Sequence, residues 1–117
     1  LVQRSDFMGK DVLGGFEHQV LLSILRLDDE TYTVPIVLEL EERTGRETAP
    51  AAVYIALRRL EKKGLVASRL DDGASAKGSR KRRLVRLTDG GLEALRESRR
   101  SLIGLWDGVE ERLDGLK

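Results

Sequence analysis

No cysteine occurs in this 117-residue sequence, and its aromatic residues are two Phe, two Tyr and one Trp. The first absence excludes disulfides and thiolate metal sites and gives no sign of an oxidising compartment. The second leaves the core to Leu, Val, Ile and Ala, which suits helices packed on helices. His18 is the only histidine; with no second His and no Cys beside it, no metal and no cofactor are expected. No apolar run approaches the roughly twenty residues that span a bilayer. The N-terminus lacks the charged, apolar and small-residue zones of a signal peptide, so a soluble cytoplasmic protein without a membrane partner is expected. A Gly-rich phosphate loop, a Ser/His/Asp set and a carboxylate pair in an apolar setting are all missing, and no enzymatic activity is expected. The acidic cluster Glu39, Glu41 and Glu42 reads as the wet face of a helix. Met8 is the only methionine; it fits a natural start preceded by extraneous or upstream residues 1–7, and a genuine arm lacking its own Met fits nearly as well.

A strong overall charge is also lacking, since the net value is +1. The distribution is uneven, however. Residues 49–88 hold eleven Lys/Arg against three Asp/Glu, an excess of +8, while 1–48 carry −5 and 89–117 carry −2. One third of the chain thus holds all the excess positive charge. The order within it reads as amphipathic helix, short strand, polar basic loop and second strand, the layout of a helix plus wing that presents cations to a DNA duplex.

Periodicity places the elements. Apolar residues at 16, 20, 21, 24, 25 and 27 predict a first helix over 16–27. A second runs from about Val34 to Arg43, with Pro35 in its first turn and Gly45 at its end. Thr48 is the expected N-cap of a third helix, with Pro50 early in it and Gly64 ending it. Steps of about 100° put Val53, Ala56, Leu57 and Leu60 on its buried side. Ala51, Ile55, Arg58 and Lys62 then face outward, with Tyr54 and Arg59 on the flanks. Residues 65–70 and 82–87 read as strands joined by the exposed loop 71–81. The remainder, from Thr88 on, reads as one long helix. Leu92, Leu95, Arg99, Leu102, Trp106, Val109, Leu113 and Leu116 form a heptad stripe in which only Arg99 is polar. A second copy of the same helix is the simplest partner for that stripe. Gly104, Gly108 and Gly115 each weaken a helix by about 1 kcal/mol and mark either a bend or a close helix approach.

The expected architecture is therefore mostly α with a small β-hairpin wing: an arm over 1–12, a winged helix-turn-helix over 13–87 and a dimerisation helix over 88–117. Double-stranded DNA and a second copy of the chain are the expected partners. Arg58, Arg59 and Lys62 would supply cations to phosphates, and Thr48, Tyr54 and Ile55 are candidates for reading sequence, Ile55 against a thymine methyl. Lys77, Arg80, Lys81 and Arg82 suit the backbone or an adjacent minor groove. A charge run alone is often only a solvated face; its place between helix and strands is what favours DNA.

The chain resembles the PadR family of winged-helix transcriptional regulators over about Leu13 to Leu95. The resemblance rests on Ala52-Val53-Tyr54, Leu57-x-Arg59-Leu60-Glu61-x-x-Gly64-Leu65-Val66, the wing Gly78-Ser79-Arg80-Lys81-Arg82, and Arg86-Leu87-Thr88-x-x-Gly91-x-x-x-Leu95. It departs from the family at Ala51 and Thr33, where Gly is usual, and at Leu84-Val85, which replace an aromatic pair behind the wing. The resemblance implies a homodimer built through the C-terminal helix, with Leu92, Leu95, Leu102, Trp106, Val109, Leu113 and Leu116 at its seam. It further implies a repressor on a pseudo-palindromic operator, and places Ser79 among the wing contacts. The family includes multidrug sensors whose interface tryptophans sandwich flat aromatic ligands. Trp106 lies about one turn beyond that position, so it reads either as a seam filler or as the seat of a small aromatic effector. Two other readings stay open: a winged-helix domain that binds a protein partner, and a ligand sensor centred on the dimer interface.

Overall fold

A computed structural model of the chain describes residues 13–27, 29–71 and 82–115. Helix α1 spans Gly15–Arg26 and begins where the Glu17 carboxylate accepts the Gly14 N–H at 2.9 Å. Its inner face is Val20, Leu21, Ser23 and Ile24. Helix α2 spans Thr33–Thr44 and ends at Gly45, whose left-handed φ of 73° lets its N–H reach the Glu41 carbonyl at 2.9 Å. Helix α3 spans Pro50–Lys62 and buries Val53, Ala56, Leu57 and Leu60, the four residues its periodicity predicted.

The expectation for Thr48 is corrected. Pro50 occupies the first helical position, where its fixed φ fits and its missing N–H costs nothing, so Ala49 becomes the N-cap. Thr48 lies one residue too early. Its N–H is held by a Glu41 carboxylate oxygen at 3.0 Å and its hydroxyl turns back to the Arg46 carbonyl at 3.5 Å. The acidic cluster of α2 is corrected as well: Glu39 joins Arg26 of α1 at 2.8 Å and Arg43 at 3.0 Å, and Glu41 holds the turn before α3. Two of the three carboxylates thus brace the scaffold.

Strands β1 (Val66–Asp71) and β2 (Arg82–Leu87) pair antiparallel, with Val66 opposite Leu87 and Asp71 opposite Arg82. The first strand starts one residue late because the Leu65 N–H is spent on the Leu60 carbonyl at the end of α3. Buried Thr31 adds a bridge to Val85, exchanging both backbone hydrogen bonds at 3.0 and 2.8 Å. The hairpin is therefore sewn to the segment that leads into α2. One apolar core joins the inner faces of α1, α2 and α3 to Val66, Val85 and Leu95.

Helix α4 (Asp89–Trp106) begins at Thr88, whose hydroxyl accepts the Gly91 N–H at 3.0 Å and donates to the Gly64 carbonyl at 2.7 Å. The single long helix expected from Thr88 onward is corrected here. It stops at Trp106, Gly108 takes a left-handed φ of 86°, and a short helix α5 (Glu110–Gly115) follows. A residue without Cβ adopts that conformation at no steric cost, so one glycine is enough to end the run. Of the three glycines, Gly108 is the bend; Gly104 lies within α4 and Gly115 within α5. The heptad stripe is also divided. Leu95 is part of the chain's own core and Leu92 is half-buried in the cleft beside α1, whereas Leu102, Trp106, Val109 and Leu113 are exposed. Leu116 lies outside the described residues. Among them, no helix is long and apolar enough to cross a membrane.

Candidate nucleic-acid interface

The outward face of α3 is a row of exposed side chains: Ala51, Tyr54, Ile55, Arg58, Arg59 and Lys62. Helical spacing puts Tyr54 and Arg58 one turn apart, and their side chains meet. An Arg58 Nη donates to the Tyr54 hydroxyl at 3.0 Å, and the guanidinium carbon lies 5.8 Å from the ring centroid. This contact stiffens two long side chains without hiding either. Ile55 stands half in solvent at 50% exposure, a large apolar residue that the core does not use.

An open cleft of about 730 Å³ separates this face from the hairpin, lined by Tyr54, Ile55, Arg58, Arg59, Glu61, Lys62 and Arg83. Four of these seven are cations and one is a carboxylate, which gives the cleft a positive field suited to a polyanion. Other described cations of the basic segment are paired with the body or lie on the outer side of the hairpin. Lys63 pairs with Glu17 at 3.0 Å, and Arg69 grips Glu30 with two nitrogens at 2.8 and 2.7 Å. These pairs set the carboxyl groups apart. Burial pushes the Glu17 carboxyl up, but the Gly14 N–H, Lys63 and Arg59 outweigh it and the net direction is down. The Arg69 guanidinium holds the Glu30 carboxyl below the usual carboxylate range.

Arg82 and Arg83 part company because β2 alternates its side chains between faces. Arg83 shares the face of buried Val85, toward α3, and its Nη donates to the Ser68 hydroxyl at 3.0 Å. Ser68 in turn donates to the Glu61 carboxylate at 2.7 Å. Arg82 points the other way and stacks over the Tyr32 ring, 4.9 Å from its centroid. Arg82 is therefore engaged with the scaffold, and Arg83, Ser68 and Glu61 are additions to the sites expected from sequence. The sequence held one signal for them: if Val85 is the buried residue, Arg83 must share its side. Leu84 and Val85 are both apolar, however, and left the phase of the strand open. Lys77, Ser79, Arg80 and Lys81 lie outside the described residues.

A second cleft of about 700 Å³ lies between α1 and α4, with Leu22, Leu25, Leu92 and Ile103 beside His18, Arg96, Arg99 and Arg100. His18 Nδ1 meets the Ser98 hydroxyl at 2.5 Å, and burial pushes its imidazole below the ordinary range. Among the described residues no group of His, Asp and Glu could hold a metal ion.

Residues 21–97 match the family described as the transcriptional regulator PadR-like family. Solved structures agree. A PadR family transcriptional regulator from Eggerthella lenta DSM 2243 is 30% identical, with 98% of this chain and 99% of that one covered and a TM-score of 0.66. A PadR family regulator from Clostridium difficile R20291 gives 21% identity, coverage of 86% and 99%, and a TM-score of 0.71. PadR of Bacillus subtilis, solved in complex with operator DNA, gives 18% identity, coverage of 70% and 45%, and a TM-score of 0.59. A comparison with curated proteins finds no match.

Proposed function

The chain belongs to the PadR-like family of transcriptional regulators, and from that premise we propose that it binds operator DNA as a homodimer and represses transcription. It is a regulator and not an enzyme. The observation that carries the DNA reading is the cleft in which Tyr54, Ile55, Arg58 and Lys62 of α3 face Arg83 of the hairpin. A helix of this width enters a major groove, and the cations beside it neutralise phosphates. The Bacillus subtilis structure with operator DNA supports the same use of the fold. Tyr54 and Ile55 would read bases, and Arg58, Arg59 and Lys62 would hold the backbone. Thr48, set back from the helix start, is left to the flanking backbone. Lys77, Ser79, Arg80 and Lys81 complete the wing side of this assignment.

Homodimerisation rests on Leu102, Ile103, Leu105, Trp106, Val109 and Leu113, large apolar side chains that the protomer leaves exposed. Two copies paired there would carry two basic clefts to the half-sites of a pseudo-palindrome. A small aromatic effector, seated against half-exposed Trp106, is a second reading with that one observation behind it.

One titration tests the proposal. A duplex selected from random sequences is bound across a range of salt by wild type and by Arg58→Ala/Lys62→Ala. Removing two phosphate contacts per protomer should lower the slope of log affinity on log salt by about 1.8 per protomer. An unchanged slope, or no duplex selected at all, would overturn the DNA reading in favour of a protein-binding module. Repeating the titration with flat cationic dyes, while following Trp106 emission, tests the effector: quenching must accompany release of DNA.

A further inference from the structure

The hairpin base presents two adjacent arginines, and the geometry points to different work for each. We propose that Arg83 is the hairpin's own contact to a DNA backbone phosphate within the cleft, held ready by Ser68 and Glu61, while Arg82 positions the hairpin and does not bind DNA. This rests on the DNA reading above and assigns a contact that the charge run alone would give to either residue.

Three observations carry it. First, Arg83 lines the same cleft as Tyr54, Ile55, Arg58 and Lys62, whereas Arg82 lies on the opposite face of β2 and covers the Tyr32 ring. Second, the hydrogen-bond chain has a fixed direction. A serine hydroxyl has one proton, and Ser68 gives it to Glu61, so its oxygen accepts from Arg83. That contact uses one guanidinium N–H of five, and the others remain for a two-pronged bond to a phosphate. Third, Glu61 belongs to α3 and Ser68 to β1, so the chain spans from the recognition helix to the hairpin. The position of Arg83 is thereby tied to the helix that would enter the groove. A lysine could restore the charge at this position but not the fork.

Tyr32 makes the complementary argument for Arg82. It stands at the start of α2, next to Thr31, whose backbone is bridged to Val85. The Arg82–Tyr32 stack and the Glu30–Arg69 fork lie on the outer side of the hairpin and fix its angle to α2.

The experiment compares Arg83→Ala, Arg83→Lys, Arg82→Ala and Ser68→Ala in the full chain, with thermal melts confirming folding. Each is titrated with the selected duplex between 50 and 200 mM salt. Loss of one phosphate contact in each protomer lowers the salt slope by about 0.9 per protomer, about 1.8 for the dimer, so the affinity deficit of Arg83→Ala should shrink about twelvefold over that range. Arg83→Lys should recover the slope and not the full affinity. Arg82→Ala should keep the wild-type slope, and Ser68→Ala should weaken binding with the slope intact. An unchanged slope in Arg83→Ala, or an equal loss in Arg82→Ala, overturns the assignment. Arg58→Ala/Lys62→Ala is the control that separates the failures. If its slope falls while that of Arg83→Ala does not, the inference alone is wrong; if neither falls, the DNA reading falls with it.

Discussion

The two halves of α4 carry similar apolar spacing and meet opposite surroundings. From Asp89 to Ser98 the helix is fastened to the body: Thr88 caps it, Gly91 and Leu95 are buried, and Ser98 meets His18. From Arg99 to Trp106 every residue is exposed, Leu102, Ile103 and Leu105 among them. A hydrophobic period therefore says which side of a helix is apolar but not what covers it. The first half buries Leu95 in the core; the second leaves Leu102 and Leu105 exposed.

The comparison breaks most visibly at its leucines. Leu95→Ala, at 6% exposure, should cost about 2–4 kcal/mol in urea unfolding. Leu102→Ala, at 47% exposure, should cost less than about 1 kcal/mol in chain diluted below any self-association. Equal losses would mean that the second half is as well packed as the first. At higher concentration Leu102→Ala should reduce self-association measured by sedimentation.

Two glycines on the same helix sharpen the contrast. A Cβ added at Gly91 would stand 2.2 Å from the Leu65 carbonyl oxygen, whereas one added at Gly104 meets nothing within 4 Å. Thermal melts should show Gly91→Ala destabilised by about 1–3 kcal/mol. Gly104→Ala should be stabilised by up to about 1 kcal/mol through helix propensity. A loss at Gly104 would place a neighbour against the helix there.

The smallest effect belongs to the junction of the halves. Burial holds the His18 imidazole below its ordinary value near 6.5, so below that pH the unfolded chain takes up more protons than the folded one. The stability that neutral His18 brings is complete above that value and is lost as pH falls toward the folded pKa. Unfolding curves at pH 7 and pH 5 should show this decline, and His18→Gln should remove it. Carboxylates act further down: Glu39 is held below the usual range by Arg26 and then Arg43, and its share is lost only in acid. A decline between pH 7 and 5 that survives in His18→Gln would assign the titration elsewhere.

Much of this was legible in sequence, for reasons that differ by element. In α3, each helical step sorts residues by angle, so Val53, Ala56, Leu57 and Leu60 fall inward, Ala51, Ile55, Arg58 and Lys62 outward, and Tyr54 and Arg59 on the flanks, without knowledge of the rest. The C-terminal break was only partly legible: Gly104, Gly108 and Gly115 offered a bend or a close approach, but the heptad letters run on past Gly108, where a left-handed φ ends the helix. Thr48 is a good capping residue in isolation, but Pro50 decides where the helix starts. The division between Arg82 and Arg83 depends on the phase of β2, which is set by the pairing of Val85 with Thr31, more than fifty residues away. Local periods are readable locally, and partners distant in sequence are not.

Thr88 has a mechanical consequence. Its hydroxyl joins the carbonyl of Gly64, just past α3, to the first turn of α4, and its own N–H bonds the Leu65 carbonyl. The two helices thus share a fulcrum one residue wide. At 18 residues α4 is about 27 Å long, and only its last eight residues, about 12 Å, are exposed throughout. A bend of about 5° in that exposed part carries the Trp106 end through about 1 Å. Read in reverse, a push on those exposed side chains would load the fastened half of α4 and, through Thr88, the end of α3.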